Sequence, residues 1–598
     1  MRQAAVQALR TARRAPVWQA GKQPSLLSFT HNQVRGSRPY SGGRRLFFVP
    51  ATLQSSMHLR NFSLAVISTV VASGAWYAYQ GDSNAQSLAT QVRGFASSAI
   101  ATAHAEGPSE STRRALLVSN DQFYTATLSG DQPLQKTTDD SDRRVLNMLT
   151  PEQATEKLRR NEESYLVNRG KGVVRYDIVQ VPSNSPIEDD HAEKIVEVPS
   201  SVAGNTNGDP SSDWMFWAVF DGHSGWTTSA KLRNVLISYV ARELNATYKA
   251  AAADPSILTP SSDAVDAAIK QGFLRLDDDI VNKSVDKVLK ENSRNVAAEM
   301  LAPALSGSCA LLSFYDSNSK DLKIAVAGDS RAVLGRRGPS GKWTATALSE
   351  DQTGGTPSEM KRLREEHPNE PYVTRNGRIL GQLEPSRSFG DATYKWTKNI
   401  QDKIKAKFFG RTPSPLLRTP PYVTAEPVIT TTKMDPSKGD FIVMATDGLW
   451  EMLSNEEVVG LVGQWLEQQK SGNGNKAWLQ SWFGFNGQKQ LPVEAVNDAS
   501  TEGQRRPIRQ QQYDISGVAS RFVVEDKNVA THLVRNAMGG KDKDMMCALL
   551  TLPSPYSRRY RDDVTVEVIF FGEGTEQTGT VEINNEASAS EEPPKAKL

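Results

Sequence analysis

From Gly172 onward the chain alternates short apolar runs with longer amphipathic stretches, a pattern that the residues before it lack. The apolar or alternating runs are Val173 to Val181, Met215 to Phe220, Ala310 to Phe314, Leu322 to Ala327, Phe441 to Ala445 and Val564 to Phe571. Runs of this length between turn residues predict buried strands. Ser229 to Tyr248 and Asp263 to Leu289 carry apolar residues at three- and four-residue steps and predict helices. Strands and helices that separate in blocks predict layers, with helices outside sheets. A domain is expected over 166–572, with a Gly-, Asn- and Gln-rich insertion at 472–517. The polar residues 81–165 read as a tether with some local helix.

The ends of the chain read as addresses. Met1 to Arg60 holds nine arginines and one lysine and no acid, the first being Asp82, which is the composition of a mitochondrial presequence. Phe62 to Tyr79 is uncharged and long enough to cross most of a bilayer as a helix, so the segment 61–80 is expected to be a membrane anchor or a cleaved sorting signal. The expected location is mitochondrial: inner membrane, intermembrane space or matrix. The acidic tail 573–598 reads as disordered and ends in Ala596, Lys597 and Leu598, one residue from the peroxisomal Ser-Lys-Leu address, which adds a second pool in peroxisomes as a hypothesis.

Composition narrows the chemistry. With 38% hydrophobic and 23% charged residues and 11 tryptophans, the chain can bury a sizeable core. The net charge of +2 gives no reason to expect a nucleic-acid partner. Cys309 and Cys547 are too few for a disulfide framework or a thiolate zinc site, so any metal must sit on oxygen or histidine. Acids stand where the apolar runs finish. Met215 to Phe220 leads into Asp221-Gly222-His223-Ser224-Gly225, Leu322 to Ala327 into Gly328-Asp329-Ser330-Arg331, and Phe441 to Thr446 into Asp447-Gly448-Leu449-Trp450. Glu188-Asp189-Asp190 and Arg561-Asp562-Asp563 add to the set. One Asp-Gly pair signals only a turn. Several carboxylates at buried strand ends would repel one another unless cations neutralised them, and hard oxygen donors favour Mg²⁺ or Mn²⁺.

Seven motifs in order carry a resemblance: Glu188-Asp189, Asp221-Gly222-His223-x-Gly225, Gly307-Ser308-x-Ala310, Gly328-Asp329-Ser330-Arg331, Ser386-Arg387-x-Phe389-Gly390-Asp391, Asp447-Gly448-x-Trp450 and Asp562-x-x-Thr565-Val566. Over Val173 to Phe571 the chain resembles the metal-dependent type 2C serine/threonine protein phosphatases. The resemblance implies an α+β fold, a four-layer α-β-β-α sandwich of two central antiparallel sheets flanked by helices, with two Mg²⁺ or Mn²⁺ in a cleft at one end. Asp221 would bridge both ions, the Gly222 carbonyl would bind one, and Asp447 and Asp562 would complete the other. Glu188 and Asp189 would hold metal-bound waters, and Asp329 and Asp391 would support a third, weaker cation or the groups behind the first two. Two such cations about 4 Å apart activate the water between them for in-line attack, and His223 would protonate the leaving oxygen. The wordings Pro186-Ile187-Glu188-Asp189, Asp447-Gly448-Leu449-Trp450-Glu451 and Tyr560-Arg561-Asp562-Asp563-Val564-Thr565 resemble the mitochondrial pyruvate dehydrogenase phosphatase branch, which implies a phosphoprotein substrate such as pyruvate dehydrogenase.

The sequence departs from the family pattern in three places. Asn184 stands where many members place an arginine that holds the substrate phosphate, so phosphate binding leans on metal or on another basic side chain. Leu348-Ser349-Glu350-Asp351-Gln352 replaces the usual Asp-His, and Asp563 replaces an asparagine. The alternative reading is a pseudophosphatase, a regulatory binding module on the same fold, and the acids kept at every matched metal position speak against it.

Overall fold

The computed structural model describes residues 112–118, 123–129, 144–203, 211–472 (except 255 and 258), 491–494, 504–513, 515, 519–574 and 577–589. Two sheets form the centre. One runs in the order Val428–Lys433, Asp321–Ala327, Ala310–Asp316, Ser211–Phe220, Asp190–Pro199. The other runs Val493–Glu494, Trp343–Ala347, Arg331–Arg337, Phe441–Ala445, Val564–Phe571, Val173–Val181, Glu162–Asn168, Thr580–Ile583. Neighbours pair antiparallel except Val493–Glu494, which lies parallel to Trp343–Ala347. The expected sandwich is present.

Alternation along the strands explains why their sequences are apolar throughout. In Ser211–Phe220, Met215, Trp217 and Val219 share a core with Ile178, Ile442 and Ile569 of the other sheet. The intervening Trp214, Phe216, Ala218 and Phe220 pack with Leu232, Leu236, Val240 and Phe273 of the helices Thr227–Ala252 and Ser262–Asp278. Successive strand side chains point to opposite faces, and here both faces are covered, so no polar phase remains. The other sheet does the same: Val564, Val566, Val568 and Phe570 join a cluster with Val458, Val462, Leu533 and Leu549 of the helices Asn455–Gly472, Val529–Ala537 and Lys543–Thr551. The helix expected over Asp263 to Leu289 forms with a π-turn, Asp279–Lys283, between Ser262–Asp278 and Ser284–Glu291.

Within the stretch read as a tether, Thr112–Val118, Phe123–Ser129 and Arg144–Asn147 make a three-stranded sheet, followed by the helix Pro151–Arg159. Leu116, Val118, Met148, Ala154 and Leu158 are buried in the same cluster as the catalytic sheet. Thr150 caps the helix, exchanging hydrogen bonds with Gln153. The polar look of this stretch comes in part from the edge strand Phe123–Ser129, on which Thr125 and Thr127 are exposed. Within the expected tail, Thr580–Ile583 pairs with Glu162–Asn168, and Ala587 is buried. The presequence, the segment 62–79 and the C-terminal tripeptide lie outside the described residues. Among the described residues no helix is long and apolar enough to cross a membrane.

Candidate active site

The strand Ser211–Phe220 ends at Asp221, after which Gly222–His223 pairs with Gly307–Ser308, and that dipeptide in turn with Phe389–Gly390. The glycines set the approach distances in this ladder. A Cβ on Gly222 would lie 2.1 Å from the Glu188 carbonyl oxygen, and one on Gly307 would lie 2.1 Å from His223 Nε2 and 2.3 Å from Asp391 Oδ2. With glycine at 307, His223 Nε2 meets Asp391 Oδ2 at 2.6 Å. Asp391 sits in the left-handed region (φ 47°) and also accepts from Ser388 Oγ at 2.6 Å. Burial alone would push the His223 imidazole down, but Asp391 outweighs it, with help from Asp329 and Glu188, so its pKa is raised.

Around this ladder the predicted acids converge from five chain segments. Burial and then Asp447, Asp189 and Asp329 push the Asp221 carboxyl well above the carboxylate range. Asp189 is raised in the same way, first by burial and then by Asp563, against hydrogen bonds from Thr446 Oγ1 and Thr565 Oγ1, both at 2.9 Å. Burial and the nearby Asp329 and Glu451 push Asp447 up to about 8. Asp329 accepts from Cys309 Sγ at 3.2 Å, and Glu188 is raised chiefly by burial. Asp562 pairs with Arg558 one helical turn away and accepts from the Asp563 amide at 2.7 Å.

The donor set fits hard divalent cations. Asp447 Oδ1 is buried and has no hydrogen-bond partner among the described residues. An orphaned carboxylate oxygen surrounded by other raised carboxyls lacks positive charge, which an oxygen-loving cation would supply. Gly222 leaves no side chain between its carbonyl and the acids, and the one thiol at the cleft, Cys309, is raised well above its usual range by burial and by Asp329.

Four contributors have no role in the motif reading, although Thr565 stands in one of the motifs. Thr446 and Thr565 orient Asp189. Asp563, almost wholly buried, accepts from the backbone amides of Ser183 (2.5 Å), Asn184 (2.8 Å) and Glu188 (2.9 Å) and from Asn184 Nδ2 (3.0 Å). The amide of Asn184, the candidate phosphate ligand, is thus directed at Asp563, with Glu188 Oε2 at 3.4 Å. Arg505 reaches Asp447 from the insertion, and no local pattern in the sequence marks it.

A second polar group lies between the sheets, at His191 and Glu193 on one and Glu567 on the other. Its ligand-type atoms lie within 4.8 Å of one another. His191 Nδ1 is 2.6 Å from Glu193 Oε1, and despite burial Glu193, Glu163 and Asp190 hold the imidazole at about 9. Glu567, fully buried, is pushed well above the carboxylate range by that burial and then by Glu193 and Glu163. Glu567→Gln, which keeps the shape and removes a charge that burial and Glu193 disfavour, is therefore expected to keep folding stability within about 1 kcal/mol. Urea unfolding at pH 7 checks this, and a loss above about 2 kcal/mol would mean the carboxylate is needed ionised. The His191 contribution is full below its ordinary value and fades as pH rises towards about 9.

A family model described as Protein phosphatase 2C matches residues 192–477, a span holding Asp221, His223, Asp329, Asp391 and Asp447. Over 465 residues the chain is 43% identical to the mitochondrial pyruvate dehydrogenase phosphatase 1 of Saccharomyces cerevisiae, covering 75% of this chain and 77% of that one. The chain belongs to the protein phosphatase 2C family. It is a protein-serine/threonine phosphatase of a metal-dependent family. It is also 43% identical over 425 residues to a protein phosphatase 2C homologue of Schizosaccharomyces pombe, covering 70% of this chain and 85% of that one. Human mitochondrial pyruvate dehydrogenase phosphatase 1 is 29% identical over 492 residues, covering 71% and 83%.

Proposed function

We propose that this phosphatase acts in mitochondria on phosphoserine or phosphothreonine of pyruvate dehydrogenase or another organellar phosphoprotein, with two Mg²⁺ or Mn²⁺ held by Asp221, the Gly222 carbonyl, Asp447 and Asp562. The orphaned, buried Asp447 oxygen among raised carboxyls carries the metal part of the reading, and the likeness to two mitochondrial pyruvate dehydrogenase phosphatases carries the substrate. When bound, the cations would neutralise these acids, lower the pKa of a water and polarise the phosphoryl oxygens. Glu188 and Asp189 would hold metal-bound water, Asp189 being fixed by its two threonines. His223, whose pKa Asp391 raises against the effect of burial, donates its proton to the departing serine or threonine oxygen.

Phosphate release from a phosphothreonine peptide and from phosphorylated pyruvate dehydrogenase, with EDTA, Mg²⁺ or Mn²⁺, tests the reading. Metal-dependent release supports it. A folded protein that releases nothing with either metal would favour the regulatory-module alternative. The role of His223 has its own signature. His223→Asn is expected to slow turnover of the phosphothreonine peptide by about 10²-fold, the usual scale of a general acid. p-Nitrophenyl phosphate, whose leaving group needs no proton, should suffer far less, and equal losses on both substrates would remove the proton-donor role.

A further inference from the structure

Arg505 lies within the insertion, yet its main chain is fastened to the catalytic body. Its amide donates to Asp351 Oδ2 at 2.9 Å, and its carbonyl accepts from Arg331 Nη2 at 3.0 Å. Arg331 is almost wholly buried and forked onto Asp351 at 3.0 and 2.5 Å, with a further bond to Asn455 Oδ1 at 2.9 Å. Next to Arg505, Gln504 Nε2 donates to the Ser349 carbonyl at 3.3 Å. The departure at Leu348 to Gln352 thus receives a structural explanation, because Ser349 and Asp351 are docking points for the insertion.

What this anchorage presents is a guanidinium on the acids of the cleft. Arg505 Nη2 is 2.8 Å from Glu384 Oε1, while Nη1 is 3.4 Å from Asp447 Oδ2 and 3.8 Å from Glu451 Oε1. The side chain keeps 26% of its exposure and lines a cavity of about 350 Å³ with Asp351, Thr353, Thr356 and Glu384. Its contact with Asp447 is single and long, unlike the Arg331 fork. Once Asp447 serves a cation, the Nη1 edge of the guanidinium faces positive charge while Nη2 stays on Glu384, and an anion between the two would offset that repulsion. A phosphoryl group supplies that anion, and arginine matches its oxygens in a fork. Asn184 is turned to Asp563, and Arg558, on Asp562, is another basic side chain at these acids.

We propose that Arg505, delivered by the insertion, grips the phosphoryl group of the substrate, a reading that rests on the phosphatase assignment above. The test uses the full chain with Mn²⁺ and compares wild type, Arg505→Ala and Arg505→Lys. Inorganic phosphate binding is followed by calorimetry, and KM and kcat on a phosphothreonine peptide are measured beside it. The alanine variant should bind phosphate about tenfold or more weakly and raise KM similarly, the scale of a lost charged hydrogen bond. Lysine should restore only part, since it keeps the charge and loses the fork. The Mn²⁺ concentration giving half-maximal activity should not rise, because no metal ligand has been removed. Unchanged phosphate affinity in both variants would overturn the proposal, and if the Mn²⁺ requirement shifts instead, Arg505 is merely a counterion to Asp447. A wild-type protein inert towards peptide and phosphate with Mn²⁺ would remove the phosphatase assignment itself, and this proposal with it.

Discussion

Asp447→Asn should lower phosphate release from a phosphothreonine peptide by about 10³-fold or more at saturating Mg²⁺ or Mn²⁺, and yet make the EDTA-treated protein more stable. The first effect is the loss of a metal ligand: divalent cations supply several kcal/mol to such a reaction, and about 4 kcal/mol corresponds to 10³-fold. The second follows from the cleft itself. With its carboxyl pushed up to about 8 by burial, Asp329 and Glu451, Asp447 resists ionisation in the metal-free folded state. Between the ordinary carboxylate value and about 8 the folded chain holds a proton that the unfolded chain has released. Stability without metal therefore falls as pH rises through that window, and the asparagine variant should lose this part of the slope. Thermal melts at pH 5 and pH 8 in EDTA measure it. The gain at neutral pH should be a few kcal/mol at most. A variant that melts no higher than wild type at pH 8 would mean that the acids are not in conflict, and the case for missing cations would lose its electrostatic half.

Asp563→Ala has the next largest expected effect, and here stability and activity fall together. One buried carboxylate gathers three backbone amides and one side-chain amide of the 183–188 loop. Its removal strands those donors, at roughly 3 kcal/mol after relaxation, given 1–3 kcal/mol for each unsatisfied buried group. The loop also sets Glu188, whose carbonyl lies against Gly222, so the metal requirement should rise as well. Asp563→Asn, which puts back the residue more usual in the family, should still be harmful. Its Nδ2 would face the Asn184 and Glu188 N–H donors that now reach Oδ2. Urea unfolding in EDTA and Mn²⁺ titration of activity are the two measurements, and an alanine variant within about 0.5 kcal/mol of wild type would show the bracket to be dispensable.

The strands around the cleft were legible because both of their faces are covered. Val173–Val181, Phe441–Ala445 and Val564–Phe571 form over the ranges that their apolar runs predict. Asp221, Asp329 and Asp447 were legible because each follows such a run, and Asp562 because it stands just before one, so strand geometry delivers them to one end of the sandwich. At a sheet edge the signal faded, as in Phe123–Ser129, whose exposed threonines resemble a linker. Partnerships across hundreds of residues were invisible for another reason. Nothing local to Asp563 says that it will bind residues 183–188, and nothing in the Gly- and Gln-rich composition around Arg505 says that its backbone will find Asp351 and Arg331. Those contacts are specified by the assembled sandwich alone.

The small sheet and helix ahead of the catalytic strands bear on how the protein can mature. Lys157 Nζ donates to the Leu550 carbonyl, and the Leu149 amide donates to Thr551 Oγ1, so residues 144–159 close the end of the helix Lys543–Thr551. Leu116, Val118 and Leu158 fill the adjoining core. A processing peptidase that cut within 112–158 would remove several buried side chains at about 2 to 5 kcal/mol each, more than a marginally stable domain tolerates. An address of the kind that the basic residues before Arg60 lead one to expect could be removed without cutting into this core only upstream of Thr112.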